Sequence, residues 1–264
     1  MLNKIRQNSK SMFACLGLVL STGSLVNLQL KELSQKFSVQ SIETYSKQEN
    51  QQKTLVNFQK NLPTFGFDNL LADLNYLQFI QYFGDTEARN MTGYSLVTDY
   101  FELLVSQDPR FTNAYLSLST ANSLFAAQPE KTVELLDRVL ESSSPNLPGY
   151  PFFLWTYKAT DEILFLGDLE AAKNSYLMAA NWASKRNDDL GNELSDRFIT
   201  TAKFLASNPD STEARVGAWS TLLNQAQDSK TQQYVIEQLE KLGAEVNITP
   251  DGRLEVRPPE SDRA

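Results

Sequence analysis

The chain has no histidine and a single cysteine, Cys15, in 264 residues. Without histidine, Ser-His-Asp and Cys-His nucleophilic catalysis are excluded, as are most zinc, haem and non-haem iron sites, which take imidazole as a ligand. One cysteine allows neither an intrachain disulfide nor a CxxC site. There is also no GxGxxG, no P-loop and no GxSxG, so the common phosphate cradles and the nucleophile elbow are not encoded. Carboxylates, lysines, tyrosines and serines remain, and none titrates near neutrality unless strongly perturbed. The composition therefore points away from an enzyme, with no cofactor and no metal ion expected. The alternative kept open is a carboxylate-based enzyme on an all-helical frame, for example a carbohydrate-active one. It needs two acids facing each other across a pocket, roughly 5–10 Å apart. Asp161-Glu162 and Asp188-Asp189 are adjacent in sequence; such neighbours diverge on a helix and are usually solvated in a loop, so they are read as ordinary charges. Asp168, Asp188 and Asp189 lack the spacing of a calcium loop.

Positive charge is scarce outside the N-terminus. Residues 1–30 carry Lys4, Arg6 and Lys10 and no acid, and the whole chain stands at −8, which leaves −11 for the rest. A body that acidic lacks the clustered Lys and Arg that polyanions require, so no nucleic acid is expected as a partner. The three basic residues precede an uncharged stretch, 11–30, most apolar over 12–20. A basic flank followed by a short apolar run is the pattern of a secretory signal, and the positive flank stays on the cytoplasmic side. Two readings stand open: a signal anchor held in the membrane as a transmembrane helix, or a signal peptide cleaved near Ser21-Thr22-Gly23. Lipidation of Cys15 is disfavoured by the bulky Phe13 beside it, and Cys15 reads as a small apolar residue of the segment. Asn90-Met-Thr and Asn247-Ile-Thr match the glycosylation triplet, a pattern with many chance hits.

The remainder divides by composition. Residues 31–62 are rich in Gln, Ser, Lys and Glu and read as a polar stalk or linker. Residues 63–242 are helical in pattern. Over 67–83, Phe67, Leu70, Leu74, Leu77 and Ile80 recur at helical spacing, broadened by Leu71, Tyr76, Phe79 and Phe83, and are expected to face a core. A helix over 98–107 puts Tyr100, Phe101, Leu103 and Leu104 inward, and further helices are expected over 112–126, 130–142, 151–166, 169–184, 190–206, 212–226 and 229–242. Residues 243–264 hold a small β-hairpin, Val246 and Ile248 alternating before a Thr249-Pro250-Asp251-Gly252 turn and Leu254 and Val256 after it, then a charged tail expected to be disordered.

An internal repeat organises the middle. Residues 113–142 align without a gap on 153–182: Tyr115 falls on Trp155, Thr120 on Thr160, Leu124-Phe125 on Leu164-Phe165, Ala127 on Gly167, Glu130 on Glu170 and Thr132 on Ala172. One helical hairpin cannot bury its own apolar face, so such units stack, and stacked hairpins make extended surfaces for partners.

At Gly167-Asp168-Leu169-Glu170-Ala171-Ala172, followed by Tyr176 and Ala179, the chain resembles a tetratricopeptide repeat. Thr132, Leu136 and Val139 take the corresponding places one unit earlier, while the family's Trp, Gly and Tyr places in the first helix hold Thr156, Thr160 and Ile163. The stretches NLLADLNYLQFIQYFGD and WTYKATDEILFLGD also resemble uncharacterised membrane-attached repeat proteins of cyanobacteria. The resemblance implies an all-α, right-handed TPR-like helical-hairpin solenoid of four to five units. It implies a protein-protein interaction scaffold or assembly factor outside the cytoplasm, periplasmic or thylakoid-lumenal, whose partner is a protein, with a membrane complex as one candidate. By position, the groove would include Ala114, Ser117, Ala121, Leu124, Phe125, Leu154, Tyr157, Asp161, Leu164 and Phe165, with Asp161 selecting basic residues at the rim. The family's Lys, Arg and Asn clamp for a terminal carboxylate is expected to be absent, because Ser117, Ala121, Tyr157 and Asp161 stand at such places. For Leu124, Phe125, Leu164 and Phe165, packing between units is favoured over partner contact, while Tyr157 and Asp161 suit either role. A self-associating structural subunit is the third class of function the pattern allows.

Overall fold

A computed structural model describes residues 41–248 and 254–259. The chain divides into two compact units, Met1–Tyr45 and Ser46–Ala264, and only 41–45 of the first are among the described residues. The signal or anchor of 1–30, the start of the stalk, the hairpin turn and the charged tail therefore lie outside them. Among the described residues no helix is long and apolar enough to cross a membrane.

The described residues are all-α apart from one small sheet, with eleven helices and two strands. In chain order the helices are α1 (Ile42–Gln59), α2 (Asp68–Gly84), α3 (Thr86–Thr92), α4 (Val97–Gln107), α5 (Thr112–Leu124), α6 (Pro129–Ser142), α7 (Phe152–Asp161), α8 (Leu169–Ser184), α9 (Asp189–Leu205), α10 (Thr212–Gln225) and α11 (Ser229–Lys241). A turn of π-helix, Glu162–Leu166, extends α7. Strands β1 (Glu245–Ile248) and β2 (Leu254–Arg257) pair antiparallel, Val246 opposite Val256.

The boundaries follow local chemistry. Pro129 stands in the first turn of α6, where its missing N–H costs nothing. Asp168, Asp188 and Asp228 cap α8, α9 and α11 by accepting from Ala171, Gly191 and Thr231 N–H groups. The two aligned segments share backbone detail at their turns. Ala127 and Gly167, aligned above, both adopt left-handed φ, 53° and 72°. The next residue in each unit donates its N–H to the carbonyl six residues back, Gln128 to Asn122 and Asp168 to Glu162. α5 also ends on a widened turn, Ala126 N–H reaching the Ala121 carbonyl, so both first helices close in the same loosened way.

Neighbours in sequence pack as neighbours in space: α2 on α4, α4 on α5 and α6, α5 on α6, α7 on α5, α6 and α8, and α8 on α9. Their shared core holds Phe79, Tyr100, Phe101, Tyr115, Leu118, Leu136 and Phe152. The α10–α11 pair packs instead against the π turn and the end of α5, around Phe165, Trp219, Leu222, Val235 and Leu239. The faces expected inward on α4, α9, α10 and α11 are buried at Tyr100, Phe101, Phe198, Ala202, Trp219, Leu222, Val235 and Leu239.

Three expectations are corrected. The stalk does not reach residue 62: Val56 is fully buried, Gln52 donates to Tyr100 Oη at 2.8 Å, and Lys60 bridges Asp99 and Glu102 on α4 at 2.9 and 2.8 Å. A polar segment can dock through polar groups, which a hydrophobic pattern does not report. On α2 the stripe expected inward is the exposed one, Phe67, Leu70, Leu74, Leu77 and Ile80, while Ala72, Asn75, Phe79 and Tyr82 are buried. The helix is apolar nearly all round, so periodicity did not distinguish its faces, and the two aromatics went inside. Finally α3, with no apolar period, was not anticipated; it carries the buried Arg89, which stacks on Tyr82 at 3.7 Å and pairs with Glu49 at 3.3 Å.

Candidate partner-binding groove

The facing sides of α5 and α7 leave two adjoining cavities that share Thr120 and Tyr157. The first, about 290 Å³, is lined by Ser119, Ser123, Leu124, Thr156, Thr160, Asp161, Leu164 and Phe165 besides the shared pair. The second, about 330 Å³, adds Phe83, Leu116, Ser117, Ala121 and Phe125. All of Ser117, Ala121, Leu124, Phe125, Tyr157, Asp161 and Leu164 therefore lie on one continuous groove. Ala114 and Leu154 do not; they are fully buried in the main core. Sequence reasoning missed Thr120, Ser123, Thr156, Thr160 and Phe83. The small hydroxyl residues of SLSTANS at three- and four-residue spacing were the available sign.

The groove's apolar residues have structural duties as well. Phe125 packs edge-on against Phe83 at 5.0 Å and tilted against Tyr94 at 5.1 Å. Phe165 meets Trp219 edge-on at 5.1 Å, and Leu124 and Leu164 lie half-buried against the same second core. Packing and lining are thus combined in one set of side chains. Of Leu124, Phe125, Tyr157, Asp161 and Leu164, only Tyr157 is solvent-facing, 37% exposed. Ser117 receives the Tyr76 hydroxyl of α2 at 3.2 Å, which ties the groove's edge to that helix.

Asp161 is the groove's chemistry. It is not at the rim but on the floor, only 7% exposed, held by the Ser123 hydroxyl at 2.6 Å. Ser123 Oγ also lies 2.8 Å from Thr132 Oγ1, Thr132 reaches the Gln128 carbonyl at 3.1 Å, and Asn122 donates to Thr132 at 3.0 Å and accepts from Thr98 at 2.6 Å. Burial pushes the Asp161 carboxyl up to about 7; the Ser123 hydrogen bond opposes this, and the nearby charges of Glu162 and Glu130 add to it.

Glu162, next in sequence, points the other way. Its carboxylate binds Lys158 Nζ at 2.6 Å and accepts from Ser175 of α8 at 2.8 Å, and Lys158 also reaches Asp137 at 3.2 Å. Burial works to lower the Lys158 pKa, but Glu162 and Asp137 outweigh it and hold the ammonium charged. Asp161 and Glu162 are therefore divergent, as a helix requires, yet both are buried rather than solvated. Asp188 and Asp189 are exposed, and Asp188 is engaged by Arg186 at 2.7 Å.

The two groove cavities contain one carboxylate, so the facing pair of acids required by a glycosidase-like mechanism is not assembled there. A larger, open cavity of about 610 Å³ lies between the starts of α8 and α10, with Asp168, Glu170 and Asp210 on its wall. Asp168 and Asp210 are occupied there in binding the backbone N–H groups of Ala171 and Thr212. Among the described residues no cluster of acids or cysteine is arranged to hold a metal ion. No family model, curated protein or solved structure matches the chain.

Proposed function

We propose that the chain is a non-catalytic scaffold of tetratricopeptide type, a stack of helical hairpins that docks a segment of another protein in the α5–α7 groove. The observation that carries this reading is Asp161, a carboxyl sunk in a largely apolar cavity beside the exposed ring of Tyr157. An apolar trough with one acid at its floor suits an extended or helical segment that presents aliphatic side chains and one lysine or arginine. The aliphatic stem of that side chain covers Leu124 and Leu164, and its cation meets Asp161. Burial holds the Asp161 carboxyl up to about 7, so its neutral form is populated near neutral pH. An entering cation favours the carboxylate, and the proton leaves to solvent.

What supports the scaffold reading more broadly is the repeated geometry of the two hairpins, with matching left-handed residues at Ala127 and Gly167. The N-terminal basic flank and apolar run place this activity, in our proposal, on the extracytoplasmic side of a membrane, with that segment as signal or anchor.

The test is capture of the partner from cells by tagged wild-type chain and by a Tyr157→Ala/Asp161→Asn variant. The variant is expected to lose the partner while keeping its cooperative melting transition. Retained capture, or a transition lost together with capture, would defeat the assignment of this groove.

A further inference from the structure

Helix α2 carries more apolar surface than its own core absorbs. Phe67, Leu70, Leu74, Leu77 and Ile80 stand 62, 55, 48, 58 and 46% exposed, and Phe65 just before the helix 85%. Four of these positions, 67, 70, 74 and 77, alternate by three and four residues, the a and d spacing of a helix that pairs with another helix along a seam. At 100° per residue, the buried positions Ala72, Asn75, Phe79 and Tyr82 lie nearly opposite this stripe, so a helix seated on it meets no obstruction from the core side.

The chemistry of the stripe's borders narrows the occupant. α2 holds Asp68 and Asp73 and no lysine or arginine, so anionic lipid headgroups are repelled rather than attracted. A copy of the same helix fits better. Laid parallel and in register, each a and d residue meets its own copy, giving four apolar layers at Phe67, Leu70, Leu74 and Leu77. Asp73 then falls beside the uncharged Gln78 of the copy, so no like charges meet across the seam. The exposed fractions amount to roughly 500 Å² for the N-cap Phe67 and the four helix residues, and roughly 700 Å² with Phe65, against the ~800 Å² that each partner contributes to a stable interface.

We infer that α2 is a self-pairing helix, through which two copies of this chain join about a two-fold axis parallel to the seam. The surface is separate from the α5–α7 groove, and such a dimer presents two grooves to a partner.

Sedimentation of the full-length chain tests this. Wild type is expected to be a dimer at micromolar concentration, and Leu74→Glu to raise the dissociation constant at least about tenfold. Phe204→Glu, which alters an equally exposed ring on α9, is expected to leave it unchanged. Because Leu74 is solvent-facing, the Leu74→Glu monomer should keep its helical circular dichroism. A Cys15→Ser/Leu74→Cys chain should form a disulfide-linked dimer under mild oxidation, and Cys15→Ser/Asn69→Cys, off the seam, should not. A wild-type monomer up to about 100 μM, a dimer indifferent to Leu74→Glu, or equal crosslinking from positions 69 and 74 would each overturn the inference.

Discussion

Ser123 Oγ lies 2.6 Å from Asp161 Oδ2, joining the last turn of α5 to the end of α7 across a space too apolar to hydrate a full charge. The hydroxyls behind it form a chain that both protonation states can satisfy. Neutral Asp161 donates to Ser123, which donates to Thr132, which donates to the Gln128 carbonyl. Ionised Asp161 accepts from Ser123, Thr132 turns to donate to Ser123, and Asn122, 3.1 Å away, supplies the Gln128 carbonyl. The groove floor can thus change charge without leaving a buried polar group unpaired.

Stability should fall as pH rises through the range of this group. The Asp161 pKa is raised by burial from an unfolded value near 3.9 to about 7. Between those limits the unfolded chain binds fewer protons than the folded one, so stability is full below pH ~4 and declines toward pH 7, by about 4 kcal/mol at most. Asp161→Asn keeps a polar partner for Ser123 and cannot ionise. Denaturant titrations should show it more stable than wild type at pH 8 by on the order of 1–4 kcal/mol, with no difference near pH 4. Parallel pH curves for the two proteins would refute this account of the floor.

Partner binding should show the opposite trend. A lysine or arginine entering the groove requires ionised Asp161, so affinity should increase from pH 6 to pH 8 by up to about tenfold per unit below 7, then level off. Isothermal titration in two buffers of different ionisation enthalpy should register proton release at pH 6.5. Asp161→Asn should abolish both effects, and a pH-independent affinity in wild type would count against a basic side chain as the recognised group.

Behind the groove, Lys158 and Glu162 are paired at 2.6 Å with side chains 12 and 3% exposed. Lys158→Met leaves Glu162 charged and buried with only Ser175 to solvate it, and should cost about 3–5 kcal/mol. The double change Lys158→Met/Glu162→Met removes both charges and should recover most of that loss. Chemical denaturation of the two single variants and the double variant measures the coupling; additive losses would mean the pair is not acting as one.

The two left-handed turns predict unequal responses to glycine and alanine exchange. Gly167→Ala places a methyl group at φ 72° and within 2.6 Å of Arg215 Nη1, so thermal melts should report a loss of about 1–2 kcal/mol. Ala127→Gly relieves φ 53° but removes a methyl buried in the second core, and should change stability by less than about 0.5 kcal/mol.

Much of this architecture is written locally in the sequence. Gly167-Asp168 and Pro129 mark helix ends by conformational preferences that act over one or two residues, and the boundaries they set match the structure. The resemblance to a tetratricopeptide repeat, carried over by position, put Ser117, Ala121, Leu124, Phe125, Tyr157, Asp161 and Leu164 on one pair of helices, and the structure brings them onto the walls of two adjoining cavities. What could not be read was depth. Whether Asp161 sits at the rim or on the floor depends on Ser123, thirty-eight residues away. The facing of α2 was hidden for a different reason: apolar residues occupy both sides, so the choice rests on which side fits Tyr100 and the other core rings. The attachment of α1 rests on Glu49, Gln52 and Lys60, polar residues that in an isolated sequence look solvated. The widened turn at Glu162–Leu166 has no compositional sign at all.

The central claim is that a partner segment with a basic side chain lies against Tyr157 and Asp161. The most direct measurement replaces Tyr157 by a photoreactive amino acid in the full-length chain, irradiates intact cells and sequences the crosslinked peptide. The account predicts one dominant adduct with a lysine or arginine beside the crosslinked residue, lost on Asp161→Asn and not formed from a photoreactive residue at Lys203 on the exposed face of α9. No adduct at 157, or the same adducts from 157 and 203, would contradict it.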